Sequence, residues 1–449
     1  MYVRFSELDG ATVGVWGAGR EIRSFARQLA RRLPSARIAV AVFDGEPPAD
    51  VHEALAAPGA TARVLGASRA VEALGACDVV VRSPGVSIHR PELRALRAAS
   101  ARVTTATALW MAEREGAAVI GITGTKGKST TAALAFHLAR TAGQPVHLAG
   151  NIGVPALDLL DQDPTELAVV ELSSYQIADL EVGPQVAVLT SLFREHLDWH
   201  GSPESYREEK LRIVGLPGVR VSVLNGRSQE LLAAGRGAIE AIPYGVRDGW
   251  DLTPRGIARA GQLVLASGQL PLRGEHNALN LCAALAALEA YGVALPPLSE
   301  ALSSFRALPH RLETVAERDG VLWVNDSIST TPESTIAALA SFDDREIVLI
   351  GGGQDRGQDY TGLAGRLAAS GASVVGLPST GQRLIAAARR AGVPERRAIE
   401  SVDIRAAVGL ARTLARPGAV VLLSPAAPSY DHFRDFEERG ERFRALVDP

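Results

Sequence analysis

Only two cysteines occur in 449 residues, Cys77 and Cys282, far apart and outside any CxxC spacing. That scarcity excludes a disulfide framework and a thiolate metal centre, and it suits a reducing compartment. No uninterrupted apolar run reaches the ~18–20 residues of a membrane span. The opening MYVRFSELDG lacks the apolar core of a secretory signal. Charge of one sign is also missing. The 47 basic and 50 acidic residues leave −3, without the clustered basic excess that nucleic acids or anionic membranes select. Low-complexity blocks and fixed-period repeats are absent too. What is present is 47% apolar and 22% charged residues over about three domain-lengths of ~150 residues. We expect a soluble, cytoplasmic, multi-domain protein with neither a nucleic-acid nor a membrane partner.

Short Val/Ile/Leu-rich runs alternate with Ala/Arg/Leu helical stretches from end to end. ATVGVWG precedes REIRSFARQLARRL, AAVIGITG precedes STTAALAFHLARTAG, and REIVLIGGG precedes TGLAGRLAAS. Such alternation marks βα units and parallel sheets, with helices covering both faces of strands that are apolar throughout. Two breaks read as joints. One lies near Thr104–Glu115, and the other near Ala307–Arg311, where Pro309 would end a helix. The reading is an α/β protein of three domains, at 1–107, 108–308 and 309–449.

The sharpest local signal is GITGTKGKST, residues 121–130. An apolar strand runs into Gly124, Thr125, Lys126 and Gly127, then into Lys128, Ser129 and Thr130 at the head of a helical stretch. Glycines let backbone N–H groups converge on a phosphate chain, and the following helix N-terminus favours negative charge. Lys128 would neutralise the β/γ-phosphates, and the Ser129 hydroxyl would reach Mg2+. The strict GxxxxGK[ST] pattern fails by one position, because its first glycine would fall at Ile122. ATP binding follows, while kinase, GTPase, motor and ligase stay open.

Downstream, Glu171 closes the apolar strand Leu167–Val170 and opens ELSSYQ. A carboxylate at a strand's C-terminal end sits where open α/β sheets bind ligands, and it suits Mg2+. His196 and Asp198 follow the run VAVLTSL, and Lys210 ends the polar stretch YREEK. On spacing alone Lys210 reads as part of a solvated helix face.

Taken together these segments resemble the Mur ligase family, the ATP-dependent amide-bond-forming enzymes of peptidoglycan precursor synthesis. The matching pieces are TGTKGKST (123–130), GNIG (150–153), ELSSYQ (171–176), HLD (196–198), the pair Tyr206 and Lys210, GEHNALN (274–280), HRLE (310–313) and NDS (325–327). ELSSYQ and LLSPAAPSYDHFRDFEERG (422–440) look most like the glutamate-adding member. The resemblance implies a Rossmann-like N-terminal domain, a central P-loop ATPase domain with a mostly parallel sheet, and a Rossmann-like C-terminal domain. It implies that ATP phosphorylates a substrate carboxylate and that an amine then attacks the acyl-phosphate.

By the same resemblance Lys128 and Ser129 serve the nucleotide, and Glu171 and His196 hold one of two Mg2+ ions with the reacting phosphate. Lys210 matches a carbamylated lysine, an anionic metal ligand where a plain ammonium would repel the ion. Asn151 matches a residue beside the reacting carboxylate, Asn277 and Asn280 groups near the adenine, and Arg311 and Asp326 nucleotide ligands, with Asp326 on the ribose. The family acts as a monomer that closes around its substrates.

VGVWGAGREI (13–22) looks like the first turn of a dinucleotide fold, but Ile22 stands at the third glycine. That pattern is too incomplete to imply a redox cofactor. The family reading is a UDP pocket for UDP-N-acetylmuramoyl-L-alanine, with Gly17, Gly19 and Arg20 near the pyrophosphate and Asp44 near the uridine. RSPGVS (82–87) also matches. For the incoming glutamate, Thr330, Arg356, Ser429 and Phe436 match the family's positions. The family's D-glutamate adders usually carry a lysine directly after NDS, where this chain has Ile328. NDSISTTPEST (325–335) looks more like the divergent relatives that add L-glutamate, which a separate epimerase inverts. Alternatives are an ordinary D-glutamate ligase, a folylpolyglutamate synthetase-like ligase, and a nucleotide-gated binding protein. The second of these begins directly with its ATPase domain.

Overall fold

The structure is a computed structural model that describes residues 2–44, 63–66, 69–193, 195 and 197–448. The first sheet is wholly parallel, in the order β3-β2-β1-β4-β5. Its strands are β1 (Thr12–Trp16), β2 (Arg37–Phe43), β3 (Arg63–Gly66), β4 (Val79–Arg82) and β5 (Arg102–Thr104). The helix Arg20–Arg32 follows β1 and buries Ile22, Phe25, Ala26 and Leu29, one stripe at helical spacing.

The second sheet comprises β6 (Val119–Thr123), β7 (Val146–Gly150), β8 (Leu167–Glu171), β9 (Val186–Leu189), β10 (Val221–Asn225) and β11 (Glu240–Tyr244). It is also parallel, in the order β11-β10-β9-β6-β8-β7. Strands β6, β8 and β9 are buried along their whole length, because helices cover both faces. The C-terminal ends of β6, β8 and β9 therefore open side by side.

The α/β alternation leaves no room for the antiparallel sheet β12-β13-β14, at Trp250–Thr253, Gly256–Arg259 and Gln262–Ala266. Its signal is a tight turn, in which Ala260 and Gly261 both take positive φ (49° and 79°) between short strands. The third sheet holds β15 (Glu313–Arg318), β16 (Val321–Asn325), β17 (Ile347–Gly351), β18 (Ser373–Gly376), β19 (Ala398–Glu400) and β20 (Val420–Leu423). Its order is β15-β16-β20-β17-β18-β19, parallel except for the β15–β16 pair. Alternate residues of β17 and β20 face two separate apolar clusters, one on each side of that sheet.

The chain divides into two compact units, Met1–Gln269 with Leu279–Ser304, and Leu270–Ala278 with Phe305–Pro449. Within the first unit, one apolar core joins the first two sheets, running from Val13, Val15 and Phe25 through Trp110 to Val170 and Leu189. The segment that reads as a joint near Thr104–Glu115 is a helix, Ala106–Glu113, capped by the Thr105 side chain and buried in that shared core. Among the described residues no helix is long and apolar enough to cross a membrane.

Candidate active site

The phosphate loop forms because β6 ends against a close neighbour. A Cβ at Gly124 (φ 150°) would lie 1.9 Å from Thr190 Oγ1, and one at Gly127 (φ 86°) would lie 2.3 Å from Asn280 Oδ1. Only glycine permits that approach and that backbone. Thr125 N donates to the Ser191 carbonyl at 2.8 Å and Lys126 N to Ser191 Oγ at 2.8 Å. Gly127 then caps the helix Lys128–Thr141, which places Lys128, Ser129 and Thr130 in its first turn, the two hydroxyl residues buried. Lys128 Nζ donates to the carbonyls of Gly124 (2.8 Å) and Thr125 (2.9 Å). Asn280 thus packs against the loop itself.

Lys210 is drawn to the same place by the helix Pro203–Leu211, which begins at a Ser202 cap and Pro203. Its Tyr206 and Lys210, four residues apart, share the buried face. The solvated-face reading of Lys210 is therefore corrected: the side chain is 2% exposed. Its Nζ donates to the Gly124 carbonyl at 3.0 Å and lies 5.0 Å from the centre of the Tyr206 ring. Burial first, and then the Lys128 charge, push its pKa well below the ordinary lysine value. The Tyr206 hydroxyl hydrogen-bonds Thr125 Oγ1 at 2.6 Å, which fixes the helix to the phosphate loop.

Glu171, at the end of β8, is 1% exposed. Asn151 Nδ2 donates to its Oε1 at 3.1 Å, while Oε2 has no hydrogen-bond partner among the described residues. A buried carboxylate oxygen left unpaired costs free energy unless a cation or donor meets it. His196 lies outside the described residues.

In the N-terminal part, Gly17 and Gly19 let the first turn close on RSPGVS, where added Cβ atoms would lie 2.6 Å and 2.8 Å from Ser83. Arg20 reaches the GNIG loop, donating to the carbonyls of Gly150 (2.5 Å) and Gly153 (3.2 Å). Glu21, unmarked by any sequence pattern, is buried with Gln176 Nε2 and Thr107 Oγ1 donating to it at 2.6 and 3.0 Å. Burial raises its pKa. Asp44 is half exposed and pairs with Arg90 at 2.7 Å.

The second unit gathers its own set. Asn277 Nδ2 donates to the Arg273 carbonyl at 2.8 Å. Arg311 sits between His310 and Leu312, both at positive φ, in a sharp turn. Asp326 is buried and accepts from Leu312 N at 3.2 Å and Ser424 Oγ at 2.8 Å. Desolvation pushes its pKa up to about 6. Ser429 is buried, Thr330 half-buried, and Phe436 opens the last helix with its ring edge-on to His310 at 6.0 Å. Arg356 is exposed, its guanidinium 5.8 Å from the Tyr430 ring centre. The buried Arg439 carries no sequence signal beyond its place in LLSPAAPSYDHFRDFEERG (422–440). It donates to Ser327 Oγ and to the carbonyls of Ser327, Ala427 and Pro428, holding the NDS turn against the last loop.

Two lysine side chains, a buried carboxylate oxygen without a partner among the described residues and a glycine-rich loop at three adjacent strand ends make an anion-and-metal cradle suited to phosphoryl transfer. The Mur ligase middle domain matches residues 122–288, and the Mur ligase glutamate ligase domain matches residues 310–427. The chain is 43% identical to a UDP-N-acetylmuramoyl-L-alanine--L-glutamate ligase of Salinispora tropica, covering 99% of each chain. A protein of the same name from Xanthomonas axonopodis pv. citri is 40% identical, over 99% of this chain and 97% of that one. Among solved structures, UDP-N-acetylmuramate-alanine ligase MurC from Thermotoga maritima superposes with a TM-score of 0.59 at 17% identity. It covers 97% of this chain and 99% of its own, a likeness of fold.

Proposed function

The chain belongs to the Mur ligase family, and from that premise we propose that it joins glutamate to UDP-N-acetylmuramoyl-L-alanine at the cost of ATP, releasing ADP and phosphate. The observation that carries the reading is the meeting of Lys128 and Lys210 on one carbonyl of the phosphate loop. A nucleotide hydrolase needs the first lysine alone, whereas the second serves a ligase.

Lys128 and the loop N–H groups bind the ATP phosphates, and Asn151 orients the acceptor carboxylate beside Glu171. The γ-phosphoryl passes to that carboxylate, and the glutamate amine displaces phosphate from the acyl-phosphate. In its neutral form, which burial favours, Lys210 has the lone pair to attack CO2. It loses one proton and becomes an N-carboxylate. Ser129, Glu171, His196 and the carbamylated Lys210 would hold two Mg2+ ions. The Glu171 oxygen that lacks a partner among the described residues fits that set. Such ions supply charge neutralisation to the transferring phosphoryl group. Asn277, Asn280, Arg311 and Asp326 serve the nucleoside, and Gly17, Gly19, Arg20 and Asp44 the UDP end. The domains run 1–107, 108–308 and 309–449, and the enzyme works in the cytoplasm as a monomer.

Thr330, Arg356, Ser429 and Phe436 receive the glutamate, Arg356 gripping a carboxylate bidentately. We assign L-glutamate. Ile328 after NDS and the names of the two relatives support that choice. A separate epimerase then acts on the product. The test is phosphate release with ATP, Mg2+ and UDP-N-acetylmuramoyl-L-alanine, comparing L- with D-glutamate. Turnover with L-glutamate alone is expected, and turnover with D-glutamate alone reverses the assignment. Silence with both removes the acceptor reading.

A further inference from the structure

Behind Lys210, on the face of its helix that meets the N-terminal part of the same unit, three metal-binding side chains converge. His89 follows β4, His200 precedes the helix Pro203–Leu211, and Glu209 lies on it. Their donor atoms all fall within 4.8 Å of one another. His89 Nε2 and His200 Nδ1 lie 2.7 and 2.6 Å from the two oxygens of Glu209. None of the three belongs to the site described above.

The surroundings fix these groups as an outer shell fixes ligands. Ser174 Oγ lies 2.9 Å from His200 Nε2, so the ring presents Nδ1 to the carboxylate. Tyr175 stacks on Trp199 at 4.5 Å and closes one side. Trp199 Nε1 donates to the Pro84 carbonyl at 3.0 Å, holding the loop that carries His89. His200 is fully buried, while the His89 side chain is 39% exposed, leaving one side of the cluster open to water.

We propose that His89, His200 and Glu209 form a binding site for one divalent transition-metal ion of the zinc class, distinct from the Mg2+ cradle. Two imidazoles and one carboxylate with an open side are the donor set of a three-ligand zinc site, its fourth position taken by water. Imidazole nitrogen selects zinc, nickel or copper and disfavours Mg2+, which prefers oxygen and its own water shell. Without an ion the carboxylate bridges both rings by hydrogen bonds, so no group is stranded. With an ion, the His200 proton moves from Nδ1 to Nε2 and faces Ser174 Oγ, the His89 proton moves from Nε2 to Nδ1, and the carboxylate turns onto the metal. Coordination then ties the loop after β4 to the helix that presents Lys210.

The experiment is calorimetric titration of the full chain with ZnCl2 in excess Mg2+ and without nucleotide, for wild type, His89→Ala, Glu209→Gln and Glu171→Gln. One ion per chain is expected, weakened roughly tenfold or more in the first two variants, the scale on which metal sites lose affinity when their support is removed. Glu171→Gln should bind zinc as wild type does. Zinc should also raise the unfolding temperature of wild type, and raise that of His89→Ala by less at the same concentration. Absence of saturable zinc binding overturns the proposal, as does binding of wild-type strength in His89→Ala or its loss in Glu171→Gln. Neither ATP nor glutamate enters this measurement, so its result stands apart from the ligase assignment.

Discussion

Lys128 and Lys210 donate to the same acceptor, the Gly124 carbonyl, at 2.8 and 3.0 Å. Two ammonium groups converging on one oxygen repel each other. The buried member yields its proton more readily, which is the direction in which the Lys210 pKa moves. The pair therefore sets Lys128 at the phosphate loop beside a second lysine for which burial favours the neutral amine.

Lys210→Ala should lower glutamate-dependent phosphate release by roughly a hundredfold or more, the scale of losing one preorganised charge-stabilising group. Acetate or formate should restore part of it by standing in for the N-carboxylate. A folded variant that no short carboxylate rescues would remove the carbamate from the mechanism.

Lys128→Ala should abolish ATP turnover while leaving the unfolding temperature near that of wild type. Its Nζ donates to the Gly124 and Thr125 carbonyls, which water can also satisfy. Measured turnover in this variant would contradict the assignment of the phosphate loop.

Arg82, fully buried, places Nη2 2.5 Å from Asp179 Oδ2, and Arg97 Nη2 donates to Asp179 Oδ1 at 2.7 Å. The first contact is an ion pair without hydrogen-bond alignment. Asp179→Ala strands the Arg82 guanidinium in the interior and should cost about 3–5 kcal/mol in urea unfolding. Pairing it with Arg82→Met should recover most of that loss, because the stranded charge is then gone.

Asp326 has its pKa raised to about 6, chiefly by desolvation, from an ordinary 3.8. Between those values the native state binds the proton that the unfolded state has released, so stability falls as pH rises from about 4 to about 6. Asp326→Asn removes that dependence. Its stability relative to wild type should therefore improve by up to roughly 3 kcal/mol between pH 4 and pH 7.5. A difference between the two that stays constant with pH would mean that Asp326 titrates normally in the folded chain.

Arg356→Ala should raise the KM for glutamate at least about tenfold and leave the KM for ATP unchanged, since a charge-assisted bidentate contact is worth about 1.5–3 kcal/mol. Equal losses for both substrates would move Arg356 out of the amino-acid pocket.

Much of this protein is set by short-range pattern. Apolar runs such as VIGIT, LAVVE and VVLL bury both faces, and the helices between them supply the cover, so parallel sheets follow from hydrophobic periodicity alone. The phosphate loop is equally local: glycines at 124 and 127 and a lysine at 128 specify a turn and a helix start within one stretch of chain. Tertiary structure decided the rest, because burial and pairing depend on residues far apart in sequence. YREEK reads as a polar helix face until folding brings Lys210 onto a carbonyl 86 residues upstream and removes its water. His89 and Glu209 are unremarkable surface residues in sequence and become partners only when 120 residues of chain fold between them. The interior's low polarity then determines what each group can do: it lowers the pKa of one lysine, raises that of one aspartate, and leaves Glu171 with an oxygen for which the described residues provide no partner.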